Sequence, residues 1–133
     1  MECREFGKTG MKPSILGFGM MRMKKDAEGK FDEQWSIETL RSAIDRGLTY
    51  VDTAYAYGES ERITGLCLLD GYREKVTLAT KIPVNKVETE EDFNRILDEE
   101  LSKLQTDHVD VYLLHALNRV RWEHVLKKGI LPM

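Results

Sequence analysis

Four apolar stretches with strand character, each followed by a segment of helical periodicity, recur at intervals of about 30 residues along a chain of 133 residues. Such alternation calls for right-handed crossovers and a parallel sheet, which places the chain in the α/β class. A doubly wound dinucleotide-binding sheet would carry GxGxxG between its first strand and helix, and Gly17-Phe18-Gly19 is followed by Arg22 where the third glycine belongs. The architecture that remains is the (β/α)8 TIM barrel, which typically needs ~250 residues. The chain is therefore expected to form the amino-terminal half of such a barrel. A hairpin over residues 1–15 is followed by four β/α units over 16–133, the last helix cut short before any fifth strand.

The hairpin is expected because Glu2 to Phe6 and Lys12 to Ile15 bracket the glycine-punctuated turn Gly7-Lys8-Thr9-Gly10. From Ile15 to Met21 the sequence is apolar without clear alternation, the pattern of a first core strand covered on both faces. Trp35, Leu40, Ala43 and Ile44 recur near helical spacing between Asp32 and Arg46, and Gly47 suits a left-handed stop. Leu48 to Asp52 reads as the second strand. Ser60 is placed to cap a helix running through Ile63, Leu66 and Leu69 to Gly71, after which Val76 to Thr80 reads as strand and Pro83 ends it. Thr89-Glu90-Glu91-Asp92 has the form of a capping box, and Phe93, Ile96, Leu97, Leu101 and Leu104 lay one apolar stripe along the helix it opens. Val109 to Leu114 makes the fourth strand, and Arg121 to Leu126 begins a last helical pattern.

Composition narrows the function. Hydrophobic residues at 41% against 32% charged are the balance of a soluble globular protein with a core, and no apolar run approaches the ~18 residues of a membrane span. The opening Met-Glu-Cys-Arg-Glu-Phe lacks the order of a secretory signal, so a cytoplasmic location is expected. Twenty Lys and Arg against 23 Asp and Glu leave a net charge of −3, which offers no broad field for a nucleic-acid backbone. Lys24-Lys25 and Lys127-Lys128 read as ordinary surface lysines. Cys3 and Cys67, with no CxxC pair and no histidine at ligand spacing, indicate neither a disulfide framework nor a metal site.

Catalytic groups of a (β/α)8 barrel project from the carboxyl ends of the strands. The polar residues at those places are Asp52 and Tyr57 after the second strand, Lys81 after the third and His115 after the fourth. Together they suit proton donation to a carbonyl: an adjacent ammonium stabilises a phenolate, the role open to Lys81 beside Tyr57. Asp52 would hold Lys81 charged and oriented, while His115 could donate a hydrogen bond to the substrate oxygen. Taken singly, each has a plain structural reading as loop aromatic, turn former, solvated lysine or core histidine. Their equivalent placement on successive strands is what neither packing nor solvation requires. Tyr50, Tyr55, Tyr112, His108 and His124 lack that placement and read as structural, although Tyr55 shares the Tyr57 loop.

The segment Val51-Asp52-Thr53-Ala54-Tyr55-Ala56-Tyr57-Gly58, with Ser60-Glu61 just after, resembles the aldo-keto reductase signature. Leu16-Gly17-Phe18-Gly19-Met20-Met21, Ala79-Thr80-Lys81 and the run from Asp107 to His115 resemble the same family. The resemblance covers essentially the whole chain. It implies an oxidoreductase that uses NADPH or NADH to reduce the aldehyde or ketone group of a small molecule, hydride passing to the carbonyl carbon. By that likeness Tyr57 is the general acid, Lys81 and Asp52 are the partners that ease its ionisation, and His115 orients the carbonyl. Cofactor contacts carry over only to Asp52 and the backbone near Gly19, Met20 and Met21, because in full-length relatives the later strands supply the nicotinamide-stacking residue and the phosphate-holding groups. Asp70 to Lys75, Leu114 to Asn118 and Arg121-Trp122 resemble more particularly a bacterial subgroup. Its members add a carboxy-terminal ferredoxin-like region with an iron–sulfur cluster, for which this sequence shows no ligands.

Two other readings compete with the reductase. One is a non-catalytic nicotinamide-binding or regulatory subunit of the same fold. The other is a lyase in which Lys81 forms a Schiff base with a carbonyl substrate, against which the neighbouring Asp52 and Tyr57 argue by keeping the amine protonated. Four parallel strands leave two unpaired edges, so the chain alone is expected to self-associate and to lack reductase activity.

Overall fold

The computed structural model describes residues 1–132. Its strands β1 (Gly17–Gly19), β2 (Tyr50–Asp52), β3 (Thr77–Ile82) and β4 (Val111–Leu114) form one all-parallel sheet in the order β1-β2-β3-β4. A doubly wound sheet reverses its strand order partway, whereas strands laid down in sequence order are the arc of a barrel. Helices α1 (Glu33–Asp45), α2 (Ser60–Cys67) and α3 (Glu90–Leu104) link successive strands, and α4 (Arg119–Lys128) follows β4.

Register and the two-residue period of a strand decide which side chains face which way. Gly19 pairs with Asp52, Asp52 with Ala79, and Lys81 with Leu113, so Gly19, Asp52, Ala79, Lys81 and Leu113 share the inner face. Leu78, Thr80 and Ile82 point to the helices and are completely buried. Around them α1 and α2 contribute Leu40, Ile44, Ile63 and Cys67 to one apolar cluster. A second cluster joins Ile82, Val84, Val87 and Ile96 to Val125 and Ile130 after β4. The inner face is open, with Gly17 and Gly19 exposed and Leu113 36% exposed. The expectation of a first strand covered on both faces is therefore not met within this chain.

The helix starts are local chemistry. Asp32 accepts from the Trp35 N–H at 3.1 Å to cap α1, and Thr89 accepts from the Asp92 N–H at 3.2 Å to cap α3. The return bond of the box goes one residue further back than expected, from the Glu88 N–H to Asp92. Gly47 ends α1 with φ +92°, and a Cβ there would stand 2.9 Å from the Met1 nitrogen. Gly65 lets α2 approach α3, since a Cβ would meet the Lys103 carbonyl oxygen at 2.6 Å.

Several expected boundaries move. The first strand spans three residues rather than Ile15 to Met21, because Met20–Arg22 tightens into a 3-10 turn and Ser14 Oγ holds the Leu16 carbonyl. Ser60 does not cap α2: Glu59 occupies that position, and the Ser60 hydroxyl instead bonds Thr53 Oγ1 and the Met20 carbonyl. The helix then stops at Cys67, short of Gly71. The fourth helix begins at Arg119, capped by Asn118, and it is closed rather than cut short, ending on Gly129 with φ +64°. The hairpin is present as pairing of Arg4 with Pro13 and Phe6 with Met11. Its Phe6 ring meets edge-on that of Tyr50, the first residue of β2, at the end of the strand away from Asp52.

Candidate active site

The carboxyl ends of β2, β3 and β4 converge on one group. Lys81 is the fifth residue of β3 and faces inward; its Nζ donates to Asp52 Oδ2 at 2.6 Å, to the Thr53 carbonyl at 2.7 Å and to the Tyr57 hydroxyl at 3.2 Å. Three acceptors thus occupy the three N–H bonds of an ammonium. The Lys81 side chain is 15% exposed and that of Asp52 is 29% exposed, so the ion pair is shielded without being sealed.

Tyr57 reaches this point because β2 is followed by a one-turn 3-10 segment, Tyr55–Tyr57, closed by Gly58 with φ +63°. The Tyr57 N–H donates to the Ala54 carbonyl at 3.0 Å, holding the turn. His115 continues the ladder one residue beyond β4, its N–H donating to the Ile82 carbonyl at 3.0 Å. Its ring stands edge-on to that of Tyr57, with centroids 5.4 Å apart and an 86° interplanar angle. Burial, then the positive charges of Lys81 and Arg121, hold the His115 imidazole below its ordinary range, which favours the neutral ring at pH 7.

All four residues singled out for catalysis therefore meet. The three cofactor candidates after β1 divide: Gly19 and Met21 are exposed, with Gly19 paired beside Asp52, whereas the Met20 side chain lies in the core and its carbonyl is occupied by Ser60 Oγ at 3.0 Å. A cavity of about 660 Å³ opens beside Tyr57, walled by Lys25, Phe31, Gly58 and Arg62. Sequence reasoning gave Thr53 no role of its own and Ser60 only that of a helix cap. Both are fully buried and joined hydroxyl to hydroxyl at 2.8 Å, linking the turn after β1 to the carbonyl that holds Lys81. No sequence pattern marks a backbone carbonyl as a ligand, so Thr53 left no signal.

The aromatics and histidines read as structural are engaged elsewhere. Tyr55 donates to Glu99 at 3.0 Å, Tyr112 donates to Glu100, and His124 Nε2 contacts the Val87 carbonyl at 2.9 Å.

The aldo/keto reductase family model matches residues 15–121. Aldo-keto reductase YhdN of Bacillus subtilis is 38% identical over 125 residues, which take in 86% of this chain and 38% of that protein. Methylglyoxal reductase YeaE of Escherichia coli is 37% identical over 102 residues, 75% of this chain and 34% of that protein. Among solved structures, the thermostable aldo-keto reductase Tm1743 bound to epalrestat superposes with a TM-score of 0.73 at 28% identity, covering 97% of this chain and 51% of its own. An aldo-keto reductase of Klebsiella pneumoniae in complex with NADPH gives 0.70 at 30% identity, covering 87% and 41%. The chain thus spans about two fifths of the length of the curated relatives it matches. Sequential parallel strands, four polar groups gathered at their carboxyl ends and a family match across 15–121 agree, and this chain belongs to the aldo/keto reductase family.

Proposed function

We propose that this chain carries the proton-donating part of a carbonyl reductase dependent on NADPH or NADH, acting on a small aldehyde or ketone. The observation that supports it most is the Lys81 ammonium held at once by Asp52, the Thr53 carbonyl and the Tyr57 hydroxyl. When bound, the nicotinamide supplies the hydride that reduces the carbonyl carbon. Tyr57 gives its hydroxyl proton to the carbonyl oxygen, and the charge left on the phenolate oxygen faces Lys81 Nζ across 3.2 Å. Asp52 fixes the lysine and balances its charge. A neutral His115 beside the Tyr57 ring offers an N–H to the carbonyl oxygen and so orients it. Exposed Gly19, paired beside Asp52 on the open inner face, and exposed Met21 in the turn that follows leave room for a flat ring to lie against backbone.

The same geometry weighs against a Schiff-base lyase, because every N–H of Lys81 has an acceptor and no lone pair is free to attack. The test joins residues 1–117 of this chain to the remaining barrel of the Bacillus subtilis relative and follows NADPH oxidation with a reactive aldehyde. Tyr57→Phe should cost about 10²-fold or more in kcat with cofactor affinity little changed. Near-normal turnover of the phenylalanine variant would remove Tyr57 from its role, and inactivity of the unsubstituted chimera that nonetheless binds NADPH would favour the non-catalytic reading.

A further inference from the structure

A second cluster of ionisable side chains lies on the opposite face of the sheet, between the helices and the strands. Glu61 on α2 and Glu100 on α3 are both completely buried, a rare situation for carboxyl groups on surface helices. One oxygen of each is satisfied. The Thr80 hydroxyl of β3 donates to Glu61 Oε1 at 2.7 Å, and the Tyr112 hydroxyl of β4 donates to Glu100 Oε2. The other two oxygens, Glu61 Oε2 and Glu100 Oε1, have no donor, and the two carboxyl groups lie within hydrogen-bonding reach of one another.

Two ionised carboxylates could not share this space, since each would be stripped of water and would face its own charge. Lys103 is the nearest cation. Its Nζ stands 3.8 Å from Glu61 Oε2 with the side chain 38% exposed, which offsets part of one negative charge and not two. One proton placed between the two orphan oxygens satisfies both at once. We propose that Glu61 and Glu100 hold a single shared proton at neutral pH, and that this proton keeps α2 and α3 packed against β3 and β4.

The titratable groups that face the pair are Lys103 from α3, Tyr112 from β4 and Tyr55 from the turn after β2, whose own ionisation the Glu61 charge opposes. Burial raises both carboxyls above the ordinary range, Glu100 up to about 8, and the neighbouring carboxylate drives the Tyr112 phenol upward as well as burial does. Titration belongs to the pair rather than to either residue. The folded chain therefore keeps a proton that the unfolded chain releases above about pH 4.5. The folding constant should fall by up to about tenfold per pH unit from there to the pair's own titration near 8 and level off beyond it. Thr80 is the residue before Lys81, so the proton site braces the strand from which the catalytic lysine candidate rises.

Carboxyl carbon-13 resonances of the glutamate-labelled 133-residue chain test this directly. Two signals should move together in two steps, the pair losing one proton below neutral pH and the shared one near pH 8, and Glu100→Gln should abolish the second step. The glutamine amide can donate to Glu61 and accept from Tyr112, so the variant keeps the hydrogen bonds and loses the titration. Urea unfolding across about pH 5 to 8 should then show wild type losing stability relative to Glu100→Gln with rising pH. Should that variant fail to fold, Glu61→Gln is its mirror, and the infrared C=O stretch of a protonated carboxyl in wild type at pH 7 needs no variant at all. Glutamate signals that all titrate below about pH 6, equal pH slopes in wild type and variant, or no protonated-carboxyl band at pH 7 would each overturn the shared proton.

Discussion

Replacing Gly65 by alanine sets two effects of opposite sign against each other. Within α2 an alanine is the better helix former by about 1 kcal/mol, so a surface helix would gain from the change. Gly65 is not on a surface. A Cβ there would stand 2.6 Å from the Lys103 carbonyl oxygen and 2.8 Å from the Leu104 carbonyl carbon and oxygen, atoms of a helix backbone that cannot rotate aside. Reaching an ordinary contact of 3.4 Å requires α2 and α3 to part by about 0.8 Å. A gap of that size forfeits a quarter to a half of the dispersion energy between the facing atoms, among them fully buried Ile63 and Leu104. Overpacking of this kind costs about 1–3 kcal/mol, and with the lost contacts the net destabilisation should be about 2 kcal/mol, or roughly 8 °C in Tm for a chain of this size. Urea unfolding followed by circular dichroism measures it, with an unchanged m-value marking a pure stability effect. A Gly65→Ala chain as stable as wild type, or more so, would mean that α2 and α3 do not approach as closely as described.

Asp110 accepts from Arg73 at 2.9 Å and from the Leu78 N–H at 2.7 Å, so Asp110→Ala leaves a buried amide unpaired and should cost about 1–3 kcal/mol in the same unfolding assay; an unchanged urea midpoint would refute the clamp. His115 is held below its ordinary range in the folded chain, so the unfolded state binds its proton first and stability should fall as pH drops below about 6.5; His115→Gln should remove that part of the acid slope, and identical slopes would contradict it. Leu16 at the β1 edge and Leu117, Val120, Trp122 and Leu126 around α4 are exposed, so sedimentation of the 133-residue chain should show self-association with no NADPH-dependent reductase activity. A stable monomer that binds NADPH at micromolar concentration would show that the cofactor site lies within these four units.

How far the sequence could be read depended on the range of the interaction responsible. Helices α1 and α3 were legible because a cap, a stripe and a stop are all written within one segment, as in Asp32, Leu40, Ile44 and Gly47. Strand ends were not, because their length is set by partners elsewhere: Ile15 and Leu16 look like core strand in sequence, yet Ser14 turns aside to bond Thr49 and Leu16. Ser60 misled for the opposite reason. A serine before an apolar helix is usually a cap, and only the buried neighbour Thr53 shows where its hydroxyl goes. The tetrad of Asp52, Tyr57, Lys81 and His115 could be anticipated since barrel topology alone assigns strand ends to one rim. Glu61 and Glu100 could not, because an acid on a polar helix face reads as solvated until Thr80 and Tyr112 close over it.

The pairing of Asp52 with Ala79 and of Lys81 with Leu113 makes the rim a matter of parity. Lys81 lies two residues beyond Ala79 and His115 two beyond Leu113, so each strand advances the site by an even step and keeps it on the inner side. An even step survives any change in the connecting loops, because each strand re-registers on its neighbour whatever chain length lies between. A single residue lost within β3 ahead of Lys81 changes oddness instead of distance: lysine would turn toward the helices and the apolar layer behind it would be asked to receive an ammonium. Evolution is accordingly free to lengthen, shorten or decorate the segments that enter this rim, such as residues 23–32, and is barred from the smallest possible edit inside the three strands that carry it.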